Sequence, residues 1–334
     1  MSKARNLANI ADDVSGGVAS PDQLGRRNLI INGGFDVWQR NTSQTANGYF
    51  SADRWFMYGN THGATMQRGT DAPDGFTYAL TTSGTPTGDI IINQAIELPA
   101  TGKAGMFYGG NTITVSWYAK STDATDQLYA LMVFRDTTQS ATNQVLLASS
   151  GSNSEQLSTE WQRFTWTFTI DPSNVPSATN TGCTLTIRSL GYANGNISIT
   201  GVQVEVGDTA TPFEHRSYGE ELALCQRYMY PINMYNNGYF GMGWHYNDTN
   251  LKFPVRLPNT MRAIPTIVQS VVTGEWRFYR SSGYDELNTT FTIDGGATPT
   301  FVQMYPNDAS GSAGVSGGFY CNGNSSYIYL ESEL

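Results

Sequence analysis

The sequence predicts an all-β chain: a jelly-roll β-sandwich, then a second and smaller β-sandwich, with a short N-terminal arm or helix. Two patterns carry that prediction. Short apolar-polar alternations recur from Arg26 to about Arg216 and again beyond residue 232. Between them sit segments rich in Gly, Ser, Thr, Asn and Pro, such as Asp171-Pro-Ser-Asn-Val-Pro-Ser177 and Tyr192-Ala-Asn-Gly-Asn196. A third observation agrees with them. Charged residues are 14% of the chain, against roughly 25% in ordinary soluble domains. A surface of neutral polar residues suits a turn-rich β protein, and equally one whose neighbours are sugars or copies of itself.

In chain order, residues 1–25 come first. They are polar, but Leu7, Ile10 and Val14 form one apolar seam at helical spacing. Alone, so short a helix is marginal in water. It reads as an attachment arm that forms against other copies or another protein, or else as a frayed tail. Residues 26–216 form the first domain. Ile113, Val115 and Trp117 alternate with threonine and serine, as do Phe164, Trp166 and Phe168. Leu185 and Ile187, Ile197 and Ile199, and Val202, Val204 and Val206 repeat the pattern. Period 2 puts each set on one face of a strand. Leu128–Phe134 is apolar on both faces, which places it centrally or at a contact. Residues 217–231 read as a linker helix: Ser217 and Glu220 fit a capping box, and Pro231 ends it. Residues 232–334 form a distal β domain, with alternation at Phe253, Val255 and Leu257 and at Trp276 and Phe278.

Charge and composition exclude several functions. With 19 basic and 28 acidic residues the net charge is −9, and no Lys/Arg cluster occurs, so neither nucleic acid nor an anionic membrane is an expected partner. The longest clean apolar run is far too short to span a bilayer, and the first residues lack the apolar core of a secretion signal. Synthesis in the cytoplasm without a signal peptide follows as the expectation. Cys183, Cys225 and Cys321 are widely spaced and read as buried thiols. No GxSxG, HExxH or P-loop pattern is present, and no His/Cys group has zinc spacing, so the chain is expected to be no enzyme.

Several residues stand out as site candidates. Trp244, Tyr246, Tyr279, Tyr284 and Tyr305 are placed in or beside the long loops of the distal domain. There they would stack on a sugar ring while polar neighbours bond its hydroxyls, or they would be buried between copies. In Asn32-Gly-Gly-Phe-Asp36, the two glycines permit positive φ and a tight turn. Asp53-Arg54-Trp55 reads as a charge pair beside an aromatic lid, structural rather than catalytic.

Five stretches together resemble a known family. Asn28-Leu-Ile-Ile-Asn-Gly-Gly-Phe-Asp36, Ala52-Asp-Arg-Trp55 and Val115-Ser-Trp-Tyr-Ala-Lys-Ser121 come first, followed by Ile199-Thr-Gly-Val-Gln-Val-Glu-Val-Gly207 and Thr211-Pro-Phe-Glu-His-Arg216. In that order and spacing they resemble the carbohydrate-binding-module-like jelly roll of bacteriophage tail-fibre and tail-appendage proteins. Glu220–Tyr228 resembles the helix that follows it. The resemblance covers roughly residues 26–230. It implies a structural protein of the phage virion, trimeric, held to other tail or virion proteins by its N-terminal arm and adsorbing to host surface glycan by multivalent contact. A polysaccharide depolymerase and a capsid-decorating fibre are the alternatives. In related sugar-binding jelly rolls, oxygens near the Gly-Gly turn and in the last strand hold a structural Ca²⁺, which makes Asp36 and Glu205 its candidate ligands here, beside a plain turn role.

Overall fold

The computed structural model describes residues 27–58, 63–97, 110–136, 145–148, 154–171, 180–234, 237–270, 272–287, 289–306 and 311–333. The arm at residues 1–25, with its Leu7, Ile10 and Val14 seam, lies outside them. The chain divides into two compact units, Met1–Tyr218 and Gly219–Glu333.

Among the described residues, the first unit holds twelve strands: β1 (Ser43–Gln44), β2 (Phe56–Tyr58), β3 (Ala64–Gly69), β4 (Ala79–Gly84), β5 (Asp89–Glu97), β6 (Thr112–Ser121), β7 (Gln127–Asp136), β8 (Val145–Ala148), β9 (Glu155–Gln156), β10 (Gln162–Thr169), β11 (Asn180–Tyr192) and β12 (Ile197–Val206). They form two antiparallel sheets, ordered β1-β3-β4-β12-β6-β10 and β2-β5-β11-β7-β8, with β9 on the side of β7. This is a jelly-roll sandwich, and the alternating apolar sets meet between the sheets. Ile113, Val115, Trp117, Leu185, Ile187, Ile197, Ile199, Val202 and Val204 are all buried in one core. Leu128–Phe134 lies in β7, flanked by β11 and β8.

β12 joins two alternations that are out of phase. Ile197 and Ile199 face the core at odd positions, Val202 and Val204 at even ones. A register shift between Thr200 and Gln203 resets the parity, and Gly201 sits there at φ +61°. An extra residue in one strand turns the following side chains to the other face.

The segment at residues 28–32 lies along β12 without forming a regular strand. Leu29 N donates to Val204 O at 2.9 Å and Val202 N to Gly33 O at 2.9 Å. Between them, side chains replace ladder partners: Asn28 Oδ1 accepts from Ile30 N and Val204 N, and Gln94 Oε1 from Ile31 N. Polar side chains thus satisfy backbone groups that a ladder would otherwise pair. The turn that follows also differs from expectation. Positive φ falls on Asn32 (57°) and Phe35 (55°), not on the glycines. Gly33 is needed for close approach, because a Cβ there would lie 2.1 Å from Val202 O.

In the second unit come helix α1 (Tyr218–Gln226), β13 (Met229–Met234), β14 (Gly238–His245), β15 (Leu251–Arg256), β16 (Thr266–Ser270), β17 (Trp276–Arg280), β18 (Gly283–Glu286), β19 (Phe291–Ile293), β20 (Phe301–Pro306), β21 (Ser316–Cys321) and β22 (Tyr327–Glu331). Ser217 and Glu220 stand at the N-cap and N3 positions of α1. The helix ends before Pro231, which instead lies in β13. β13 is an edge of the three-stranded sheet β13-β22-β16, where a missing N–H is tolerated. The other sheet has seven strands, β18-β17-β21-β14-β15-β20-β19. Phe253, Trp276, Phe278, Phe319 and Met304 from the larger sheet pack with Ile328 and Leu330 from the smaller one.

Cys183, Cys225 and Cys321 are buried. Among the described residues, no helix is long and apolar enough to cross a membrane.

Candidate functional site

The aromatic candidates converge on one surface, the face of the seven-stranded sheet turned away from the core. Alternation places them there. In β17, Trp276 and Phe278 are buried, so Arg277 and Tyr279 point the other way. Pairing then carries the face across the sheet. Arg277 lies opposite Glu286 and Tyr320, and Tyr320 opposite Tyr239. Tyr279 lies opposite Tyr284 and Gly318, and Gly318 opposite Met242. Trp244 lies opposite Ser316 and Lys252.

Four of the five candidates therefore sit in strands rather than loops: Trp244 in β14, Tyr279 in β17, Tyr284 in β18 and Tyr305 in β20. Tyr246 follows directly on β14, where its N–H donates to Asn250 O at 2.7 Å. The sheet brings them together as two groups. Tyr279 and Tyr284 have ring centroids 5.2 Å apart. Tyr305 and Tyr246 flank Lys252, whose Nζ is 4.9 Å from the first ring centroid and 5.8 Å from the second.

Sequence reasoning missed Tyr239, Met242, Tyr320, Arg277 and Lys252. Tyr239 contacts Tyr320 edge-on at 4.9 Å and Tyr279 at 6.1 Å. Arg277 lies 4.6 Å over the Tyr284 ring and donates to the Tyr279 hydroxyl at 3.3 Å. Tyr320 donates its hydroxyl hydrogen to Asn237 Oδ1 at 2.9 Å. The alternation of Trp276-Arg-Phe-Tyr-Arg280 was the available signal for Arg277. No simple signal existed for Tyr239 and Met242. They are an odd number of residues apart yet share the face, because the register shifts between Tyr239 and Gly241.

Part of this face is exposed, while Tyr279, Tyr305 and Tyr320 are half-buried. Tyr239 is 67% exposed, Met242 69% and Tyr246 67%. Its charges are paired. Lys252 Nζ donates to Asp294 Oδ2 at 2.7 Å, which holds the Asp294 carboxyl below the usual carboxylate range, with help from the Gly295 N–H. Arg277 stands 3.9 Å from Glu286. Ring faces, phenolic hydroxyls and paired ions suit an uncharged ligand with apolar and hydroxylated sides.

The first unit holds the remaining candidates. Asp36 and Glu205 are engaged by different neighbours. Glu205 accepts from Thr211 N at 3.1 Å and from the Thr211 hydroxyl. Asp36 is half-buried near His215; burial pushes its carboxyl above the ordinary value, and His215 partly offsets this. Among the described residues, no three His, Cys, Asp or Glu side chains are grouped as metal ligands. Asp53 accepts from Arg40 Nη1 at 3.4 Å, with both side chains nearly inaccessible. Arg54, at φ 71°, donates to Ala95 O at 2.6 Å. The aromatic part of that motif is Trp55, stacked on Phe35 at 5.1 Å with its indole N–H on Asn32 O.

Fold and surface together define a two-unit all-β protein with an exposed aromatic sheet face. No protein-family model matches the chain, and no curated protein matches it. Solved structures do resemble it. The CBM22-1 xylan-binding domain of Paenibacillus barcinonensis Xyn10C is 12% identical over 51% of this chain and 94% of that domain, with a TM-score of 0.32. A CBM4 structure is 24% identical over 53% of this chain and 98% of its own, with a TM-score of 0.34. The enzymatically active domain of bacteriophage CBA120 tailspike protein 4 is 14% identical over 54% of this chain and 21% of its own, with a TM-score of 0.33.

Proposed function

We propose that this chain is a structural appendage of a phage virion, a tail fibre or similar protein, that contacts glycan on the host surface through the aromatic face of its second unit. The exposed row of Tyr239, Met242, Trp244, Tyr246 and Tyr284 on one sheet carries the binding part of this reading. Large ring faces left in water beside paired charges favour a saccharide, whose C–H faces stack and whose hydroxyls bond. The face is a sheet surface, so single contacts are weak and gain from linked copies. A homotrimer, attached to other virion proteins through residues 1–25, supplies those copies. The virion part rests on the motif resemblance at Asn28–Asp36 and Ile199–Arg216.

Binding is favoured over cleavage by the state of the nearby acids. A glycosidase needs a carboxyl kept protonated to serve the leaving group. Asp294 is held ionised by Lys252 and Glu286 lies beside Arg277.

The test has two arms. Antibody labelling of virions under the electron microscope should mark the tail; a signal on the capsid, or none on the particle, overturns the tail assignment. The full chain should bind host surface polysaccharide without releasing reducing ends, and Tyr239→Ala with Trp244→Ala should abolish that binding. Unchanged binding by the double variant removes the face from the proposal, and new reducing ends make the protein a depolymerase.

A further inference from the structure

The aromatic sheet face of the second unit is also a cluster of phenols. Tyr239, Tyr279, Tyr284 and Tyr320 come from β14, β17, β18 and β21. Their ring centroids form a continuous series: 4.9 Å between Tyr239 and Tyr320, 5.4 Å between Tyr320 and Tyr279, and 5.2 Å between Tyr279 and Tyr284. Two of these contacts join residues directly opposite one another in the ladder, Tyr239 with Tyr320 and Tyr279 with Tyr284. Opposite residues carry their Cβ atoms about 4.5–5.5 Å apart, so each pair of rings springs from adjacent stems.

The two pairs differ in what surrounds them. Arg277 lies opposite Tyr320 in the ladder but turns its guanidinium to the other pair, 4.6 Å from the Tyr284 ring centroid and donating to the Tyr279 hydroxyl. A cation over a ring opposes removal of an electron from it, because the positive charge left behind is repelled. Around Tyr239 and Tyr320 the chemistry is reversed. The Tyr320 hydroxyl gives its hydrogen to the neutral Asn237 Oδ1 at 2.9 Å. Asn237 is exposed, so water is at hand there to take a departing proton. Tyr239 is mostly exposed and open to an oxidant in solution.

We propose that Tyr239 and Tyr320 are a site of oxidative cross-linking, where a peroxide acting through a one-electron oxidant joins them into a dityrosine that staples β14 to β21. Each phenol loses one electron and its hydroxyl proton. The radical left on each is shared between the oxygen and the ring carbons beside it. Two such carbons, one from each ring, form a single carbon–carbon bond. Their hydrogens then move to the two oxygens and restore both hydroxyls. One hydrogen peroxide takes up the two electrons and two protons and becomes two waters. The strands so joined are neighbours inside the seven-stranded sheet. A tie between distant chain positions restricts the unfolded chain, as a disulfide does. The proposal stands on the ring geometry and does not depend on glycan binding by the same face.

Treating the full chain with hydrogen peroxide and a haem peroxidase tests it. Dityrosine fluorescence should appear. A protease digest read by mass spectrometry should contain the Tyr239 and Tyr320 peptides joined, with the loss of two hydrogens. On a denaturing gel the product should run as one chain, and its thermal midpoint should rise by roughly 10 °C over the untreated protein. Tyr239→Phe and Tyr320→Phe should each remove the joined peptide. Both keep the ring, and a midpoint near the parent's before treatment shows each variant folded. Tyr284→Phe should leave the joined peptide in place. Tyr327 and Tyr329, stacked at 5.8 Å but with Tyr329 nearly inaccessible, should stay unlinked. The proposal is overturned if no peptide joins Tyr239 to Tyr320, or if Tyr279 couples to Tyr284 as readily. It is equally overturned if the bond forms only between chains, or if the joined product melts at the parent's temperature.

Discussion

Tyr239 lies across Gly318 on the adjacent strand, so closely that a Cβ on the glycine would meet the tyrosine ring at 2.8 Å. The glycine is a seat for the ring, and the neighbouring Tyr279 and Tyr320 hold it edge-on. Gly318→Val should unseat Tyr239 without unfolding the unit, since the displaced group is an exposed side chain with room to swing away. Polysaccharide binding should fall about as far as in Tyr239→Ala, while the thermal midpoint stays close to the parent. A variant that binds normally would show that this ring contributes nothing to recognition.

A buried ion pair contributes to the stability of the first unit. Arg40 and Asp53 meet with side chains 2% and 1% exposed. Removing one partner strands the other charge away from water, so Asp53→Ala should cost about 3–5 kcal/mol in a denaturant titration. The half-exposed Lys252–Asp294 pair makes the contrast. Lys252→Ala there should cost far less, because water screens that pair.

His245 makes the second unit acid-sensitive. Its ring is fully buried against Phe278, with Asp285 at 3.8 Å and Arg280 at 3.5 Å. Burial pushes its pKa down; Asp285 works against this and Arg280 adds to it. A depressed histidine pKa means the folded state prefers the neutral ring. Its stability is fully present above about pH 6.5 and is lost as pH falls through the lower folded value. Thermal midpoints followed from neutral pH downward should drop in the parent chain, and the drop should be smaller in His245→Leu.

Asp36 has the opposite sign of effect from a salt-bridged acid. Burial raises its pKa, so the folded state prefers the protonated form. That contribution is present below the ordinary carboxylate value and is lost as pH rises through the raised one. Asp36→Asn should therefore be more stable than the parent at neutral pH and equal to it in acid. Calcium supplies a second reading from the same proteins. An ion held by Asp36 and Glu205 would raise the parent's midpoint at neutral pH and leave that of Asp36→Asn unmoved.

Much of the fold was legible because strand periodicity is local. Trp276 and Phe278 point inward, so Arg277 and Tyr279 point outward, and the same logic placed Trp117, Leu185 and Val204 in the core. Tyr279, Tyr284, Trp244 and Tyr305 were identifiable as candidates, though they looked like loop residues because turn-forming residues such as glycine, serine, proline and asparagine lie close to them. Tyr239 and Met242 were hidden by a register shift that puts residues of opposite parity on one face.

Read alone, the sequence determined the all-β class, the core-facing half of most strands and the capped start of helix α1. Tertiary structure decided which outward residues become neighbours. Tyr284 meets Arg277, Tyr239 sits over Gly318, and Asp71 reaches Lys120 across 49 positions of chain. The physical reason is that alternation depends only on the backbone of one strand. Pairing, bulges and cross-strand contact depend on how distant segments close into sheets, and no short stretch of sequence contains that information.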